Sequence, residues 1–169
     1  MLVDCTHLLN LRHLYEKDRG WETYYPSLED SNEMSFESIR QYGTNGIWAI
    51  VTYGNGVVTS LQARRYLVNQ KVLKSEDTLD ILDCFNINHV PKGLRSIVGK
   101  YEGVVFADIC KDGPGNVLSN MVCSLRSEGL LPQKWDLIAA PRTYNPLGSA
   151  DTFLNADDIV KTFQRMIST

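Results

Sequence analysis

Four largely apolar runs, the first of them unbroken and each followed by a turn and then a helical pattern, constrain this chain more than any other feature. They are Ile47–Thr52 (IWAIVT), Leu79–Ile87 (LDILDCFNI), Gly103–Cys110 (GVVFADIC) and Trp135–Ala140 (WDLIAA). A strand wetted on one face alternates apolar and polar residues, whereas a run without alternation suits a strand covered on both faces. Such strands need helices above and below, and the intervening segments supply them. Val57–Asn69 is apolar at 57, 58, 61, 63, 66, 67 and 68, which predicts an amphipathic helix with Arg64 and Arg65 outward. Lys92–Val98 follows Pro91, a residue suited to a helix's first turn. Val117–Glu128 is apolar at 117, 118, 121, 122 and 125. Asn155–Ile167 closes the chain, with Asn155 as N-cap, Asp157 and Asp158 in the first turn, and Lys161 and Arg165 toward the end, as the helix dipole favours. Val72–Leu73 reads as the start of a further short extended stretch. This alternation predicts an α/β fold, a three-layer α/β/α sandwich with a mostly parallel sheet of about five strands.

Residues 1–45 have a different character. They are polar and aromatic (Tyr15, Trp21, Tyr24, Tyr25, Phe36, Tyr42), with one short apolar patch, Leu8–Leu11, that suits either a strand or a helical turn. They read as an arm lying across a domain that occupies 46–169, or as the tail of a domain that is mostly missing. The aromatics of the arm suit an interface or packing on their own domain. A chain of 169 residues is the size of one domain and buries about two-thirds of its unfolded surface without staples. Its formal net charge is -3, and no run of five or more like charges occurs, so a concentrated basic face for nucleic acid or anionic membrane is not expected. No apolar stretch has the length of a membrane span. Asp4 stands where a secretory signal would be basic, so a cytoplasmic location is expected. Cys5, Cys84, Cys110 and Cys123 are scattered, show no CxxC spacing and read as small buried hydrophobes in a reducing compartment.

The chemistry-bearing residues are few. Lys111-Asp112-Gly113-Pro114-Gly115-Asn116 joins a buried strand to a helix, where backbone N–H groups and the helix dipole attract anions. Gly113, Gly115 and Asn116 are therefore candidates for a small-anion turn, with a plain tight turn as the alternative. Neither GxGxxG nor GxxxxGK[ST] is present, and Asp112 opposes a phosphate. Asp108 ends the third strand, at the edge where α/β proteins place working residues; a base or a helix-fastening carboxylate both suit it. Asp80 and Asp83 mark polar positions of the second strand. His89 lies beyond that strand and suits a hydrogen-bonded loop residue. His7, His13 and His89 show no metal spacing. Arg142, after the fourth strand, suits an anionic ligand, a neighbouring chain or plain solvation. Ser60, Ser119 and Ser124 fall on helices, with no GxSxG elbow. No set of residues assembles a catalytic site.

Taken in order, these elements resemble one family. "IWAIVTYGNG" at Ile47–Gly56 is similar to a "(D/V)xxIVxxG" opening strand and turn, and "LDILDCFNINHVP" at Leu79–Pro91 to "(V)xVIDxRxxxPxD". "GVVFADICKDGPGN" at Gly103–Asn116 resembles "xVVVxEExxxxGGxG", and "WDLIAAPRTYNPLG" with the closing helix resembles the last strand, loop and helix. Together they resemble the carboxy-terminal domain of transketolase-like, thiamine-diphosphate-dependent enzymes. "LYEKDRG" and "YYPSLED" in the arm are similar to the tail of the pyrimidine-binding domain in beta subunits of 2-oxo acid dehydrogenases. The resemblance implies a non-catalytic domain serving dimerisation and contact with a catalytic partner subunit. It implies thiamine diphosphate and magnesium in the parent complex and none bound by this chain alone. Departures are Ala107-Asp108 where paired acids are usual, and Gly113-Pro114-Gly115 in place of paired glycines. The GDG motif with later asparagines is missing, and so is the activating glutamate of a pyrimidine-binding domain. An independent small-anion-binding α/β module, and a small enzyme working through Asp108 and His89, are the other readings.

Overall fold

The structure, a computed structural model, describes residues 8, 11, 13–18, 20–21, 35–144 and 153–168. Its strands are β1 (Arg40–Tyr42), β2 (Trp48–Thr52), β3 (Leu79–Asp83), β4 (Gly103–Lys111) and β5 (Lys134–Ala140). Its main helices are α1 (Asn55–Asn69), α2 (Lys92–Ile97), α3 (Val117–Ser127) and α4 (Ala156–Ser168). The sheet runs β1-β3-β2-β4-β5, with every neighbouring pair parallel except β1 with β3. The expected α/β sandwich is present, and its two apolar layers are separate. Leu61 and Leu67 of α1 and Ile159 and Phe163 of α4 pack with Ile50, Ile81 and Val105 on one face. Leu94 of α2 and Leu118 and Leu125 of α3 pack with Val51, Leu82 and Phe106 on the other. Adjacent residues of each strand thus serve opposite layers, so each central strand reads as a continuous apolar run.

Several local expectations are corrected. The second strand stops at Asp83 instead of reaching Ile87, because its neighbour β2 ends at Thr52. Cys84 N donates to Thr52 O at 2.8 Å, and beyond it Phe85 and Ile87 stand exposed. Val72 and Leu73 are not extended; both amides return to Leu67 O, at 2.9 and 3.2 Å, and close the end of α1. Arg64 does not point outward. Its Nη1 reaches Tyr42 O at 3.0 Å and Leu79 O at 3.2 Å, tying α1 to the β1 and β3 backbones. Arg65 does stay toward the surface, where it pairs with Glu76 and lies 5.4 Å from the Tyr15 ring centre. Asn155 and Asp158 cap α4 reciprocally, as the sequence predicts for Asn155.

The amino-terminal segment meets its own domain. Leu11 N donates to Leu8 O at 3.1 Å, the helical-turn alternative for that patch. Leu8, Leu11, Tyr15 and Trp21 pack against the α1–α4 layer, and Leu14 is buried in it. Tyr24 and Tyr25 lie outside the described residues. β1, within the span assigned to the arm, forms an edge of the sheet.

Asp80 fastens this edge. Its carboxylate is buried and accepts from Gln41 Nε2 at 2.9 Å, Gly46 N at 3.1 Å and Tyr101 OH at 3.0 Å. The approach demands glycine at two positions. A Cβ on Gly43, which has φ +111°, would lie 2.2 Å from Asp80 Oδ1, and one on Gly46 would lie 2.7 Å from Asp80 N. Asp80→Ala, which strands these donors, is expected to lower the unfolding free energy by about 3 kcal/mol in urea titration. The midpoint of thermal unfolding should fall by roughly 10 °C.

Candidate functional site

From β2 the chain passes through α1 to β3 on one side, and β4 then lies on the other. The direction of winding reverses between β2 and β4, and in open α/β sheets the crevice beyond the strand ends at such a reversal is the usual ligand site. Here that place is filled from within. Thr52 Oγ1 donates to Ala107 O at 2.8 Å across the two strands. Gly54, with φ +54°, turns the chain into α1, and a Cβ on Gly56 would lie 2.0 Å from Thr52 Oγ1 and 3.0 Å from Ile109 Cγ2. Ile109 therefore packs against the start of α1. The β4–β5 register shifts between Asp108 and Lys111, which redirects side chains at the end of β4.

Asp108 is the centre of this arrangement. It is wholly buried, and Oδ1 accepts from Tyr53 OH at 2.6 Å and Cys110 N at 2.8 Å. Oδ2 accepts from Leu118 N at 2.7 Å, in the first turn of α3. The carboxylate occupies the position that an anion would take at a helix N-terminus. Burial, reinforced by the bond to Asp108, pushes the Tyr53 phenol far above the usual tyrosine range, so it stays a proton donor. Cys110, half-buried, shares the same hydroxyl at 3.2 Å.

The glycine turn lies directly after Asp108. Asn116 is buried and caps α3, its side chain accepting from Ser119 N at 3.0 Å, while its Nδ2 meets no partner among the described residues. Two first-turn amides of α3 are thus taken by Asp108 and Asn116. A Cβ on Gly113 or Gly115 would meet nothing within 4 Å. Gly113 has φ +141°, a conformation that favours glycine for the turn itself. His89 and Arg142 are held apart from this node. His89 Nε2 lies 2.8 Å from Glu37 Oε1, the hydrogen-bonded loop role expected of it. Arg142 is exposed in the turn after β5, where Thr143 N donates to Pro141 O at 2.7 Å. An open groove of about 440 Å³ lies at the start of β5, bordered by Trp135, Asp136 and Arg165, and includes none of the candidate residues.

Tyr53 and Glu37 were not identifiable as partners from the sequence; the only signal for Tyr53 was an aromatic directly after an apolar run. The cysteines divide. Cys84 is buried and its thiol is pushed up to about 12 by desolvation, as expected of an inert core residue. Cys123 is exposed instead, because it falls opposite the Leu118–Met121–Val122–Leu125 stripe of α3; Cys5 lies outside the described residues. Among the described residues no three His, Cys, Asp or Glu side chains gather as a metal site, and no helix is long and apolar enough to cross a membrane.

Asp83 closes β3 opposite Arg40, and burial raises its carboxyl to about 6 although Arg40 pulls the other way. The native state therefore holds this proton between roughly pH 4 and pH 6, where an unfolded aspartate has lost it. Its contribution to stability accordingly rises as pH falls through 6 and is complete near 4. Asp83→Asn is expected to stabilise the protein by about 1–3 kcal/mol at pH 8 and to lose that advantage at pH 4, read from urea midpoints. Destabilisation at pH 8 would contradict it.

No protein-family profile and no curated protein matches this chain. Solved structures do match. One is a split-gene transketolase described as an inactive beta4 tetramer, with a TM-score of 0.61 at 15% identity, covering 79% of this chain and 42% of that one. At that identity the likeness speaks to fold, and this chain spans less than half the length of the matched chain. The five-stranded, mostly parallel sheet with its helices has the fold of a transketolase carboxy-terminal-like domain.

Proposed function

We propose that this chain is a non-catalytic assembly domain of a thiamine-diphosphate-dependent enzyme, either a transketolase or one like the beta subunit of a 2-oxo acid dehydrogenase. One observation carries the reading. Asp108, the acid best placed for chemistry at the sheet's winding reversal, is buried and engaged at both oxygens by Tyr53, Cys110 and Leu118, contacts that hold the fold. The shared fold supports it, as does the description of the matched transketolase chain as an inactive tetramer.

The described residues do not fit thiamine diphosphate or its magnesium ion. Among the described residues no three His, Cys, Asp or Glu side chains gather around a common metal position. At the glycine turn the α3 amides already face Asp108 and Asn116, and Asp112 adds a further negative charge. In this reading the cofactor and magnesium belong to domains on a catalytic partner subunit, and no chemical step is assigned to this chain. The assembly is cytoplasmic and includes a second copy of the chain, with neither nucleic acid nor membrane as partner.

Isothermal titration with thiamine diphosphate and magnesium tests this. The chain alone should give no binding heat, and an equimolar mixture with a chain carrying pyrimidine- and diphosphate-binding domains should bind. Saturable binding by the chain alone would overturn the reading.

A further inference from the structure

The sheet ends on two unlike edges. β1 is three residues long, and its Arg40 and Gln41 are exposed. β5 is seven residues long and half-buried from Lys134 to Ala139, and among the described residues no strand lies beyond it. From Trp135 to Ala140 its one charged residue is Asp136, and the others are tryptophan, leucine, isoleucine and alanine. A long apolar edge strand is a template on which the same strand of another molecule can pair, antiparallel about a two-fold axis.

Backbone direction identifies the groups at stake. Asp112 N, directly after β4, donates to Ala140 O at 2.8 Å, so Ala140 turns its polar groups toward β4. Along a strand these groups alternate in direction, so those of Ala139, Leu137 and Trp135 point away from β4, to the outer edge. Leu137 N stands in the middle of that row and is already engaged, donating to Asp136 Oδ1 at 2.8 Å. The other carboxylate oxygen, Oδ2, accepts from Arg165 Nη2 of α4 at 3.1 Å, which steadies the side chain in place. A carboxylate folded over the edge occupies the donor that an incoming strand needs, and it would lose water if that strand arrived.

We propose that Asp136 closes the outer edge of β5 against pairing with β5 of a second copy of this chain. Leu137 N joins a new ladder only when the carboxylate is displaced from it. The other edge needs no such device, because three residues with an exposed arginine make a poor template. This inference concerns the sheet edge and does not rest on the assembly reading. A second copy in such an assembly would meet this one through side-chain faces and not by extending the sheet.

The test is sedimentation velocity of the full chain over a wide concentration range. Asp136→Ala removes the acceptor and should raise the self-association constant by about 10-fold or more over wild type. Asp136→Val, which adds a strand-forming side chain, should raise it at least as far. Asp136→Asn removes the same charge but keeps an oxygen for Leu137 N, and should stay within about two-fold of wild type. Hydrogen exchange locates the contact: the Leu137 and Ala139 amides of the alanine variant should gain protection as its concentration rises, while those of the wild type do not. Urea midpoints establish that each variant is folded, and the valine variant carries the test should the alanine variant unfold. Alanine and valine variants no more associated than wild type would overturn the proposal. So would an asparagine variant that associates as strongly as the alanine one, since lost charge would then suffice, or protection gained away from β5.

Discussion

A carboxylate sealed inside a sheet covered on both faces must be surrounded by donors, and the way Asp108 meets that demand organises the carboxyl edge of this protein. Three donors converge on it from three places: the phenol of Tyr53 beyond β2, the amide of Cys110 at the end of β4 and the amide of Leu118 in α3. Charge-assisted bonds of this kind are roughly twice as strong as neutral ones, and removing the acceptor leaves buried donors without partners. One side chain thereby joins the central pair of strands to the helix that covers them. Asp80 does the equivalent work toward the opposite edge, holding β1, the loop before β2 and Tyr101.

This distribution of polar groups bears on function. At the winding reversal, Thr52, Tyr53, Asp108 and Asn116 are all buried, and Thr52, Tyr53 and Asp108 bond to one another or to the adjoining backbone. Exposed large apolar side chains, among them Phe36, Phe85, Tyr144 and Phe153, lie elsewhere. The shared region is 42% of the matched transketolase chain.

The sequence revealed what depends on neighbours along the chain and hid what depends on neighbours across it. Val104, Val105, Phe106 and Ala107 announce a strand covered on both faces because four consecutive apolar residues already imply two apolar layers. The helices at Asn55–Asn69 and Val117–Ser127 follow from spacing alone, and Asn155 caps α4 through a residue three positions on. β3 was predicted too long because its end is set by β2, not by its own composition. β1, three residues of RQY, carries no apolar run at all. The partners of Asp80, Asp108 and His89 were illegible for the same reason: Gln41, Tyr53 and Glu37 lie 39, 55 and 52 positions away. The glycine turn was recognised as a strand-to-helix connection, but no local pattern shows that Asp108 already bonds an amide of the helix behind it.

The most direct measurement is the stability of Asp108→Asn set beside its affinity for the proposed catalytic chain. An amide keeps the size of the carboxylate but accepts through one oxygen only, so it cannot satisfy donors on both sides. The account predicts a loss of about 2–3 kcal/mol in urea unfolding, with the folded protein binding its partner as the wild type does. Unchanged stability would show that Asp108 does not fasten the fold, and would contradict the account.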